Sequence, residues 1–597
     1  MFKAEVLNFI KATQPKQWDK LAAIHGEDIE NRLIQRLYKE IDLRSSFDVI
    51  RNGITDYGVR FKLAYFKPES SLNPDTIALY EQNRLTVTRQ VRYGRRDKAC
   101  LVSTNSRLSI DLVLSLNGLP VATLELKNQF TGQNTDDAKK QYNTNRDNKE
   151  LLFAFKKRAL VHFAVDDEEV YMTTRIDGDR TYWLPFNKGY NNGKGNPPNP
   201  NGYRTEYLWQ NILVDSWLEI IGRFVHLQTE EYEFEGRTRK KEKLIFPRFH
   251  QLDAVRKLTH HAKENGAGHS YLIQHSAGSG KSNSIAWLAY RLSGLHDDLD
   301  KRIFNSVIVI TDRLVLDNQL QETIYQFEHK AGVVTKIDKD SNQLAEAIAN
   351  SANIIITTLQ KFPYVIDKIE TRHALSVQPN RNYAVIIDEA HSSQGGESSK
   401  KLKEVLSAQS LEAAAESEQN EDDSGEDAVN EAVERSAKAR GKQTNLSFFA
   451  FTATPKPKTI AIFGEKNSAG KPEPFHLYSM RQAIEEGFIL DVLQNYTSYE
   501  LYFKLSKAIE EDPELNKKKA AKAIARFVSL HPHNLAQKTE IVIEHFCICV
   551  AHKIGGRAKA MVVTSSRLHA KRYFEEFNRY IKEKDYSQEI RYVQICL

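Results

Sequence analysis

Apolar and polar side chains alternate along residues 109–126, whose sequence is SIDLVLSLNGLPVATLEL. Most of the apolar residues fall on even positions on both sides of Asn117-Gly118, a dipeptide typical of two-residue hairpin turns. Side chains of a strand point to its two faces in turn, so a period of two marks one apolar face on each strand. The pattern therefore predicts a β-hairpin over these residues.

Odd positions of the same hairpin carry Asp111, Glu125 and Lys127 on the other face. If the turn centres on Gly118, Asp111 and Glu125 lie opposite each other, about 5 Å apart. Like charges at that distance repel each other unless a cation lies between them, and Mg²⁺ prefers carboxylate oxygens. The hairpin thus predicts a metal site formed by Asp111 and Glu125, with Lys127 close enough to stabilise charge on a phosphate. The alternative is a solvent-exposed sheet face with a cross-strand pair of Glu125 and Lys127.

A second pattern begins near residue 270, where short apolar runs alternate with segments of helical character. The runs are YLI, VIVIT, NIIIT, AVIID and FFAFT. Such runs predict strands buried on both faces, in a parallel sheet that helices cover on both sides. Thr311, Thr358 and Thr452 each end or follow a run, so they should line one edge of the sheet, where hydroxyl groups suit phosphate contacts.

A glycine-rich loop follows the first of these runs, in LIQHSAGSGKSNSIAWL. Strand, loop and helix in this order are the context of a phosphate-binding loop, in which backbone N–H groups and the helix N-terminus face the phosphates. Lys281 would neutralise the β- and γ-phosphates, and Ser282 would bind Mg²⁺. The usual pattern has glycine where this chain has His275, and Gly278 and Gly280 supply the flexibility instead.

An acidic pair ends another of the apolar runs, in YAVIIDEAH at residues 383–391. Ligand sites of open α/β sheets lie at the carboxyl ends of the strands, which is where Asp388 and Glu389 stand. Asp388 would hold Mg²⁺ through water, and Glu389 would activate the water that attacks the γ-phosphate.

Length and charge narrow the class of protein. The 597 residues suffice for roughly three or four domains of about 150 residues. A net charge of +6 permits nucleic-acid binding without demanding it. The sequence has no apolar run of about 18 residues, so no membrane span is predicted. Its first residues do not resemble a secretory signal. The four cysteines have no metal-binding spacing and indicate reduced thiols in a cytoplasmic protein.

Two segments interrupt the globular pattern. Residues 411–434 contain acidic residues but no Lys or Arg, which predicts a disordered acidic insertion on a surface loop. Residues 189–202 are rich in Gly, Asn and Pro, which predicts a loop.

Taken together, HSAGSGKS, DEAH and FTATP resemble motifs I, II and III of superfamily 2 helicases and translocases, in the family's order. VIVITDRLVLDNQL and IIITTLQKF are similar to strand ends that contact nucleic acid, and KAMVVTSSRLHAKRY is similar to motif IV, which opens a second RecA-like domain. FPRFHQLDAV places Gln251 like the glutamine that reads adenine ahead of motif I. The resemblance implies a nucleotide site formed by Gln251, Gly278, Ser279, Gly280, Lys281, Ser282 and Asp388, with Ser282 and Asp388 on the metal and Glu389 as catalytic residue.

Next to a nucleic-acid motor, SID and ELK resemble the PD-(D/E)-x-K nuclease core, with Asp111 and Glu125 on the metal and Lys127 as a further catalytic residue. The helix that follows, DDAKKQYNTNRD, carries Gln141. This residue is similar to the catalytic glutamine of the Q-x-x-x-Y element of RecB-like nucleases, although position 145 is Asn and not Tyr.

A nuclease that precedes a DEAH-box translocase resembles the N-terminal portion of the R subunit of type I restriction-modification enzymes. The resemblance implies ATP-driven translocation, and cleavage of unmodified duplex DNA away from the recognition site. It also implies ATP and Mg²⁺ as cofactors, methyltransferase and specificity subunits as partners, and S-adenosylmethionine bound through the methyltransferase. The α/β chain would comprise a PD-(D/E)XK endonuclease domain (1–235), a first RecA-like domain (236–475) and part of a second RecA-like domain (476–597).

No Q-x-x-G-R-x-x-R pattern, as in motif VI of the family, follows motif IV before Leu597. We therefore expect an N-terminal portion or a natural truncation that hydrolyses ATP poorly and does not translocate alone. The alternatives are a helicase-nuclease of DNA repair, and a DNA- and ATP-binding fragment without hydrolytic activity. Co-purification with a methyltransferase and a specificity subunit would separate restriction from repair.

Overall fold

The computed structural model describes residues 1–69, 72–93, 108–200, 202–210, 214–234, 237–311, 320, 323–324, 333–337, 341–358, 381–390, 445–491, 532–552, 558–564 and 566–586. Contacts divide the chain into two compact units, Met1–Leu490 and Asp491–Leu597. The predicted acidic insertion at 411–434 lies outside the described residues, as do the stretches directly after Thr311 and Thr358. Within the described ranges, no helix has both the length and the apolar character needed to cross a membrane.

The helices are, in chain order, α1 (Lys3–Thr13), α2 (Pro15–His25), α3 (Ile29–Arg44), α4 (Ser46–Asn52), α5 (Pro74–Glu81), α6 (Thr135–Asn145), α7 (Glu206–Gln210), α8 (Val214–Glu219), α9 (Phe249–Asn265), α10 (Lys281–Ser293), α11 (Ser341–Ala349), α12 (Pro457–Phe463), α13 (Met480–Glu485), α14 (Pro532–His545) and α15 (Arg567–Lys584). The strands are β1 (Ile54–Asp56), β2 (Val59–Phe61), β3 (Leu85–Arg92), β4 (Ser109–Leu116), β5 (Leu119–Leu126), β6 (Val161–Val165), β7 (Val170–Thr173), β8 (Leu184–Pro185), β9 (His226–Phe234), β10 (Arg237–Ile245), β11 (Ser270–His275), β12 (Ser306–Thr311), β13 (Val334–Lys336), β14 (Ile354–Thr358), β15 (Tyr383–Ile387), β16 (Leu446–Thr452), β17 (Glu465–Lys466), β18 (Pro472–Glu473) and β19 (His476–Tyr478).

A six-stranded sheet organises the N-terminal region, with the strand order β3-β4-β5-β6-β7-β8. β5 and β6 are parallel, and the other neighbours are antiparallel. Leu112, Leu114 and Leu116 of β4 belong to a large core that includes buried residues of α1 and α3. The sheet therefore holds β4 and β5 in fixed positions inside the region.

The predicted hairpin over 109–126 is confirmed as β4 and β5. Leu116 pairs with Leu119 across the Asn117-Gly118 turn, but the register shifts between Leu114 and Ser115. Such a shift is the mark of a β-bulge, which places one extra residue in one strand.

The predicted division into one apolar even face and one polar odd face was wrong in two respects. Ile110 belongs to a separate cluster with Val113 and Tyr142, and Leu126 is 36% exposed. The odd face is also covered, because α6 lies over it and leaves Thr123 and Glu125 fully buried. The alternative of a solvent-exposed face is therefore wrong as well.

A seven-stranded sheet follows, and it confirms the predicted parallel sheet. Its order is β13-β14-β12-β15-β16-β11-β19, and every neighbouring pair is parallel. Thr311 and Thr358 are ladder partners at the carboxyl ends of β12 and β14. Thr452 pairs with Gln274 at the end of β11. All three predicted threonines thus lie toward the same edge of the sheet.

The end of this sheet differs from the predicted domain limits. Strand β19 at His476–Tyr478 pairs with β11, whereas a further domain was predicted to begin at residue 476. The first compact unit ends later, at Leu490. Assigned domain ranges within the chain remain predictions.

The second unit is described over two longer helices, α14 and α15. They share a small core in which Ile543, Phe577 and Tyr580 are buried. Residues 558–564, which include most of the segment that resembles motif IV before its helix, form neither helix nor strand.

Candidate functional sites

The first candidate site lies at the start of β4 and the end of β5, away from the Asn117-Gly118 turn. Leu112 and Leu124 are ladder partners, so the next position outward brings Asp111 opposite Glu125, as predicted. Asp111 accepts hydrogen bonds through both carboxylate oxygens. Leu126 N–H donates to Oδ2 (2.9 Å), and Gln90 Nε2 donates to Oδ1 (3.1 Å).

Glu125 is the most constrained group of this site. Its Oε1 accepts hydrogen bonds from Nε (2.9 Å) and Nη2 of Arg146, and both side chains are almost fully buried. Its Oε2 is buried without a hydrogen-bond partner. Burial raises the pKa of Glu125 to about 7, Arg146 opposes that rise, and the neighbouring Asp111 carboxylate adds to it. The two carboxylates therefore share one small space, as a metal site requires.

Lys127 and Gln141 are also brought together. Lys127 Nζ donates to Gln141 Oε1 over 2.6 Å. Gln141 lies on α6, whose first turn is fixed by a capping box between Asn134 and Asp137. Lys127 thus contacts the predicted glutamine and not Glu125, which contradicts the cross-strand ion pair of the alternative interpretation.

Sequence reasoning missed Arg146, which directly follows α6. Its Nη1 donates to Tyr93 Oη over 2.5 Å, so the guanidinium spans Tyr93 and Glu125. Beneath it, Thr123 Oγ1 hydrogen-bonds to both Tyr142 Oη (2.9 Å) and His162 Nδ1 (2.7 Å). No periodic pattern in the sequence predicts these contacts, because the residues that form them lie far apart along the chain.

The carboxylates of the first candidate site are few but suit a divalent cation. Among the described residues, no group of three or more His, Cys, Asp or Glu side chains is placed to hold a metal. The free buried oxygen of Glu125 next to Asp111 nevertheless fits Mg²⁺, which typically takes one or two carboxylates and keeps several waters. An open depression of about 810 Å³ adjoins Asp111, and its other lining residues are Val87, Thr88, Arg89, Gln90, Leu112 and Leu126.

The second candidate site is the predicted phosphate-binding loop between β11 and α10. Gly278 and Gly280 have φ angles of 69° and 79°, a conformation that favours glycine. A Cβ atom on Gly280 would also lie 2.6 Å from Nε2 of Gln251. Gly280 directly precedes α10, so the loop ends at the N-terminus of a 13-residue helix, which favours anions.

The loop lysine lies close to one member of the acidic pair. Lys281 Nζ lies 3.3 Å from Glu389 Oε1, and Ser282 is the next residue of α10. Asp388 N–H donates to the Ile310 carbonyl (3.0 Å), which ties the acidic turn to β12. The sheet thus brings segments about a hundred residues apart to one edge.

Three side chains near the start of α9 hold the carbonyl oxygens of the loop. Arg248 Nη2 donates to Gly278 (2.9 Å), His250 Nε2 to Ser279 (3.1 Å) and Gln251 Nε2 to Gly280 (2.9 Å). Gln251 Oε1 accepts from Arg248 N–H (3.0 Å), so both ends of its amide have partners. In this arrangement Gln251 supports the loop, and its contact with adenine remains a prediction. Arg248 and His250 were missed.

His275, the departure from the usual glycine pattern, is a buried residue of β11. Its Nε2 lies 2.8 Å from His476 Nδ1, and His476 Nε2 lies 3.1 Å from Asp253 Oδ2. Burial, together with the positive neighbours His476 and Lys281, holds the pKa of His275 well below its usual value. His275 therefore joins the loop to β19, and the missing glycine reflects this packing.

The segment after β19 also borders the loop. Tyr478 stacks on His250 with ring centroids 3.8 Å apart, and Phe488 lies under the Arg248 guanidinium at 4.2 Å. A Cβ atom on Gly278 would meet the Phe488 carbonyl at 3.5 Å. This segment was not predicted to take part in the site.

Family models of known proteins match the regions that contain the two candidate sites. Residues 10–181 match the family model described as the type I restriction enzyme R protein N terminus, and residues 250–413 match the model of the SWI2/SNF2 ATPase. The family-model matches therefore cover the first candidate site and most of the second.

Individual relatives are distant. A type I restriction enzyme endonuclease subunit from Staphylococcus aureus is 23% identical over 583 residues, which are 96% of this chain and 52% of that protein. The type I restriction enzyme HindI endonuclease subunit from Haemophilus influenzae is 23% identical over 480 residues, or 76% of this chain and 40% of that protein. A solved fragment of an HsdR subunit from Vibrio vulnificus is 14% identical with a TM-score of 0.32, and the match covers 85% of this chain and 72% of that one.

This chain spans about half the length of the Staphylococcus relative that it matches. In chain order, the sequence is thus similar first to the N terminus of type I restriction enzyme R proteins and then to the SWI2/SNF2 ATPase.

Proposed function

We propose that this chain is the motor and nuclease portion of a type I restriction enzyme, a type I site-specific deoxyribonuclease. It would move duplex DNA at the expense of ATP and cut unmodified foreign DNA away from the recognition site. The observation that carries the proposal is the pair of neighbouring carboxylates formed by Asp111 and the buried Glu125, on one chain with the contact between Lys281 and Glu389.

The N-terminal site would be a nuclease of the PD-(D/E)XK type. Asp111 and the free Oε2 of Glu125 would hold Mg²⁺, which when bound neutralises phosphate charge and supplies an activated water. Lys127, oriented by Gln141, would donate to the phosphate that is attacked. Lys127 would thus polarise the phosphodiester from one side. The cation held by the two carboxylates would contact it from the other side.

The second site would bind and hydrolyse ATP. Lys281 would move from Glu389 to the β- and γ-phosphates, which releases Glu389 to orient the attacking water. Ser282 and Asp388 would hold Mg²⁺ on the phosphates, and the turn at Gly278, Ser279 and Gly280 would wrap around them. Gln251 would then exchange its loop contact for the adenine base.

The proposed partners follow from the family. Methyltransferase and specificity subunits would supply recognition of the target sequence, and S-adenosylmethionine would bind through the methyltransferase, in a cytoplasmic complex. Phosphate contacts alone position a protein on DNA without reading its sequence, which fits a motor that depends on a separate specificity subunit.

The decisive experiment measures cleavage of unmodified plasmid and ATP hydrolysis by the chain assembled with its methyltransferase and specificity subunits. Asp111→Asn should abolish cleavage and leave ATP hydrolysis unchanged, because it removes one metal ligand far from the nucleotide. Lys281→Ala should abolish both activities. The matched control is Asp19→Asn, an exposed aspartate on α2, which should change neither. Full cleavage by the Asp111→Asn assembly would reject the nuclease assignment.

A further inference from the structure

Strand β3 has an unusual backbone conformation directly beside the first candidate site. Gln90 has a φ angle of 50°, in the left-handed region that residues other than glycine seldom adopt. It lies inside the strand and not at a turn, because β3 continues to Arg92. Residues in such sparsely populated conformations cluster at functional sites, where the surrounding structure holds them in place. The backbone at Gln90 therefore points to a function of this position.

The register of the sheet places Gln90 opposite Asp111. Arg89 pairs with Leu112 on one side of this position, and Val91 pairs with Ile110 on the other side. The left-handed residue thus stands across the β3–β4 ladder from the first carboxylate of the candidate nuclease site.

The side chain of Gln90 uses both ends of its amide on β4. Its Nε2 donates to Asp111 Oδ1 (3.1 Å), and Ser109 Oγ donates to its Oε1 (3.2 Å). A carboxylate oxygen only accepts hydrogen bonds, so the NH₂ end of the amide must face Asp111. Ser109 therefore holds Gln90 in the orientation in which it donates to Asp111.

With Gln90 in place, each carboxylate oxygen of Asp111 has a donor. Leu126 N–H donates to Oδ2 (2.9 Å), and Gln90 donates to Oδ1. Donors at both oxygens oppose rotation of the carboxylate about its bond to Cβ. Each oxygen of a carboxylate can accept more than one bond, so both can still face a cation.

Asp111 depends on such a donor more than the other carboxylate of the site does. Glu125 is held by Arg146 and is fully buried. Asp111 instead borders the open depression, which Gln90 also lines. Without the amide, the carboxylate of Asp111 could turn towards this depression and away from Glu125.

We propose that Gln90 is a positioning residue of the nuclease site, which holds the Asp111 carboxylate in the orientation that binds a divalent cation. The proposal rests on the proposed function, because it takes Asp111 as a metal ligand. Gln90 acts through Asp111 and has no contact of its own with the metal or the phosphate. The left-handed backbone lowers stability, and in return one metal ligand is oriented before the metal binds.

Two substitutions separate the amide from the backbone. Gln90→Gly removes the amide and suits the positive φ, whereas Gln90→Met removes the amide but keeps the length of the side chain and the strained backbone. In calorimetric titration of the whole 597-residue chain, both variants should bind Mn²⁺ about 10- to 100-fold more weakly than the parent. The thermal unfolding midpoint of Gln90→Gly should nevertheless lie above that of Gln90→Met, so the lost affinity does not follow stability.

Matched controls make the same two changes elsewhere. Asn191→Gly acts at an exposed residue with a φ of 49°, and Gln17→Met acts at an exposed residue of α2. Both controls should bind Mn²⁺ like the parent.

Plasmid cleavage by the assembled enzyme over a range of Mg²⁺ concentrations gives an independent readout. Gln90→Met should raise the concentration for half-maximal cleavage by about 10-fold or more and should still reach the parent's maximal rate, because a poorly oriented ligand binds weakly but still binds. Asp111→Asn should not recover at high Mg²⁺. A lower maximal rate with an unchanged half-maximal concentration would overturn the positioning role.

Failure of this proposal differs from failure of the proposed function. If the parent binds no Mn²⁺, or if Asp111→Asn binds it like the parent, the metal site itself is rejected and the role of Gln90 with it. If Asp111→Asn loses binding while either Gln90 variant binds like the parent, the role of Gln90 alone is rejected, because both variants lack the amide.

Discussion

Glu125 derives its chemical character from burial and from two neighbours, Arg146 and Asp111, that are distant in the sequence. Burial disfavours its charge, the Arg146 guanidinium favours it, and Asp111 opposes it. Because the resulting pKa of about 7 lies near neutral pH, the free carboxyl group titrates in the physiological range. A divalent cation on Oε2 would favour the ionised form, so metal binding would weaken as pH falls below 7. Arg146 keeps that pKa from rising further.

Arg146→Gln should weaken Mn²⁺ binding to the chain by about 10- to 100-fold, as is typical when a partner of a metal ligand is lost. The guanidinium fixes Oε1 and thereby orients Oε2, and glutamine offers neither the charge nor the two parallel donors. Calorimetric titration with Mn²⁺ measures the effect.

The Mn²⁺ affinity of Arg146→Lys should lie between those of the parent and Arg146→Gln. Lysine keeps the positive charge but lacks the two parallel donors of the guanidinium group. Arg180→Gln, at a side chain that is 78% exposed, is the control and should bind like the parent. Tighter binding by Arg146→Gln would show instead that Arg146 competes with the metal.

The β4–β5 hairpin shows how an element sets the register of a site. Asn117 and Gly118 have φ angles of 50° and 81°, which suits the tight turn that their sequence predicts. If the inner pairing of Leu116 with Leu119 continued outward, Asp111 would stand opposite Leu124. The bulge shifts the outer register by one residue, and Asp111 then faces Glu125. A one-residue slip would move one carboxylate to the other face.

Gly118→Ala should lower the thermal unfolding midpoint and weaken Mn²⁺ binding. The new Cβ would lie 2.6 Å from the Phe2 carbonyl and 2.9 Å from Val6 N, so α1 or the turn must shift. Gly132→Ala is the control, because Gly132 also has a positive φ, of 71°, but no atom within 4 Å of the added Cβ. It should show only the backbone cost of about 1–2 kcal/mol. Equal midpoints for the two variants would exclude the steric contribution at Gly118.

At the scale of the first compact unit, the two candidate sites lie on separate sheets. A loop from the N-terminal region nevertheless touches α13, which follows the strand beside the phosphate-binding loop. Ser479 Oγ donates to the Asn192 carbonyl over 2.5 Å, and Lys194 N–H donates to Glu485 Oε2 over 2.8 Å. These contacts link the regions through backbone and exposed side chains.

In the isolated chain, the two sites should bind their ligands independently. Lys281→Ala should abolish binding of a fluorescent ATP analogue and keep Mn²⁺ affinity at the Asp111 site, and Asp111→Asn should do the reverse. The reason is that neither substituted side chain contacts the other site. Fluorescence titration and calorimetry on the same preparations measure both. Loss of both ligands in either variant would contradict the prediction.

Local sequence patterns determined several features, because the interactions that specify them are short in range. Alternation and the Asn117-Gly118 turn specified the hairpin. Apolar runs specified five strands of the parallel sheet, and the glycines before Lys281 specified a tight loop between β11 and α10. The position of Asp388 and Glu389 after β15 was predicted for the same reason, since parallel strands present their carboxyl ends at one edge, and the roles of both residues stay predictions.

Tertiary structure alone decided the features that depend on partners far along the chain. Arg146 meets Glu125 only after α6 folds over β5, and His275 finds His476 only when β19 joins the sheet. The bulge near Leu114 shifts the register of the hairpin. A sequence pattern with a period of two does not predict such a shift. Local patterns record the backbone conformation and burial of one segment, whereas these contacts depend on how separate segments pack against one another.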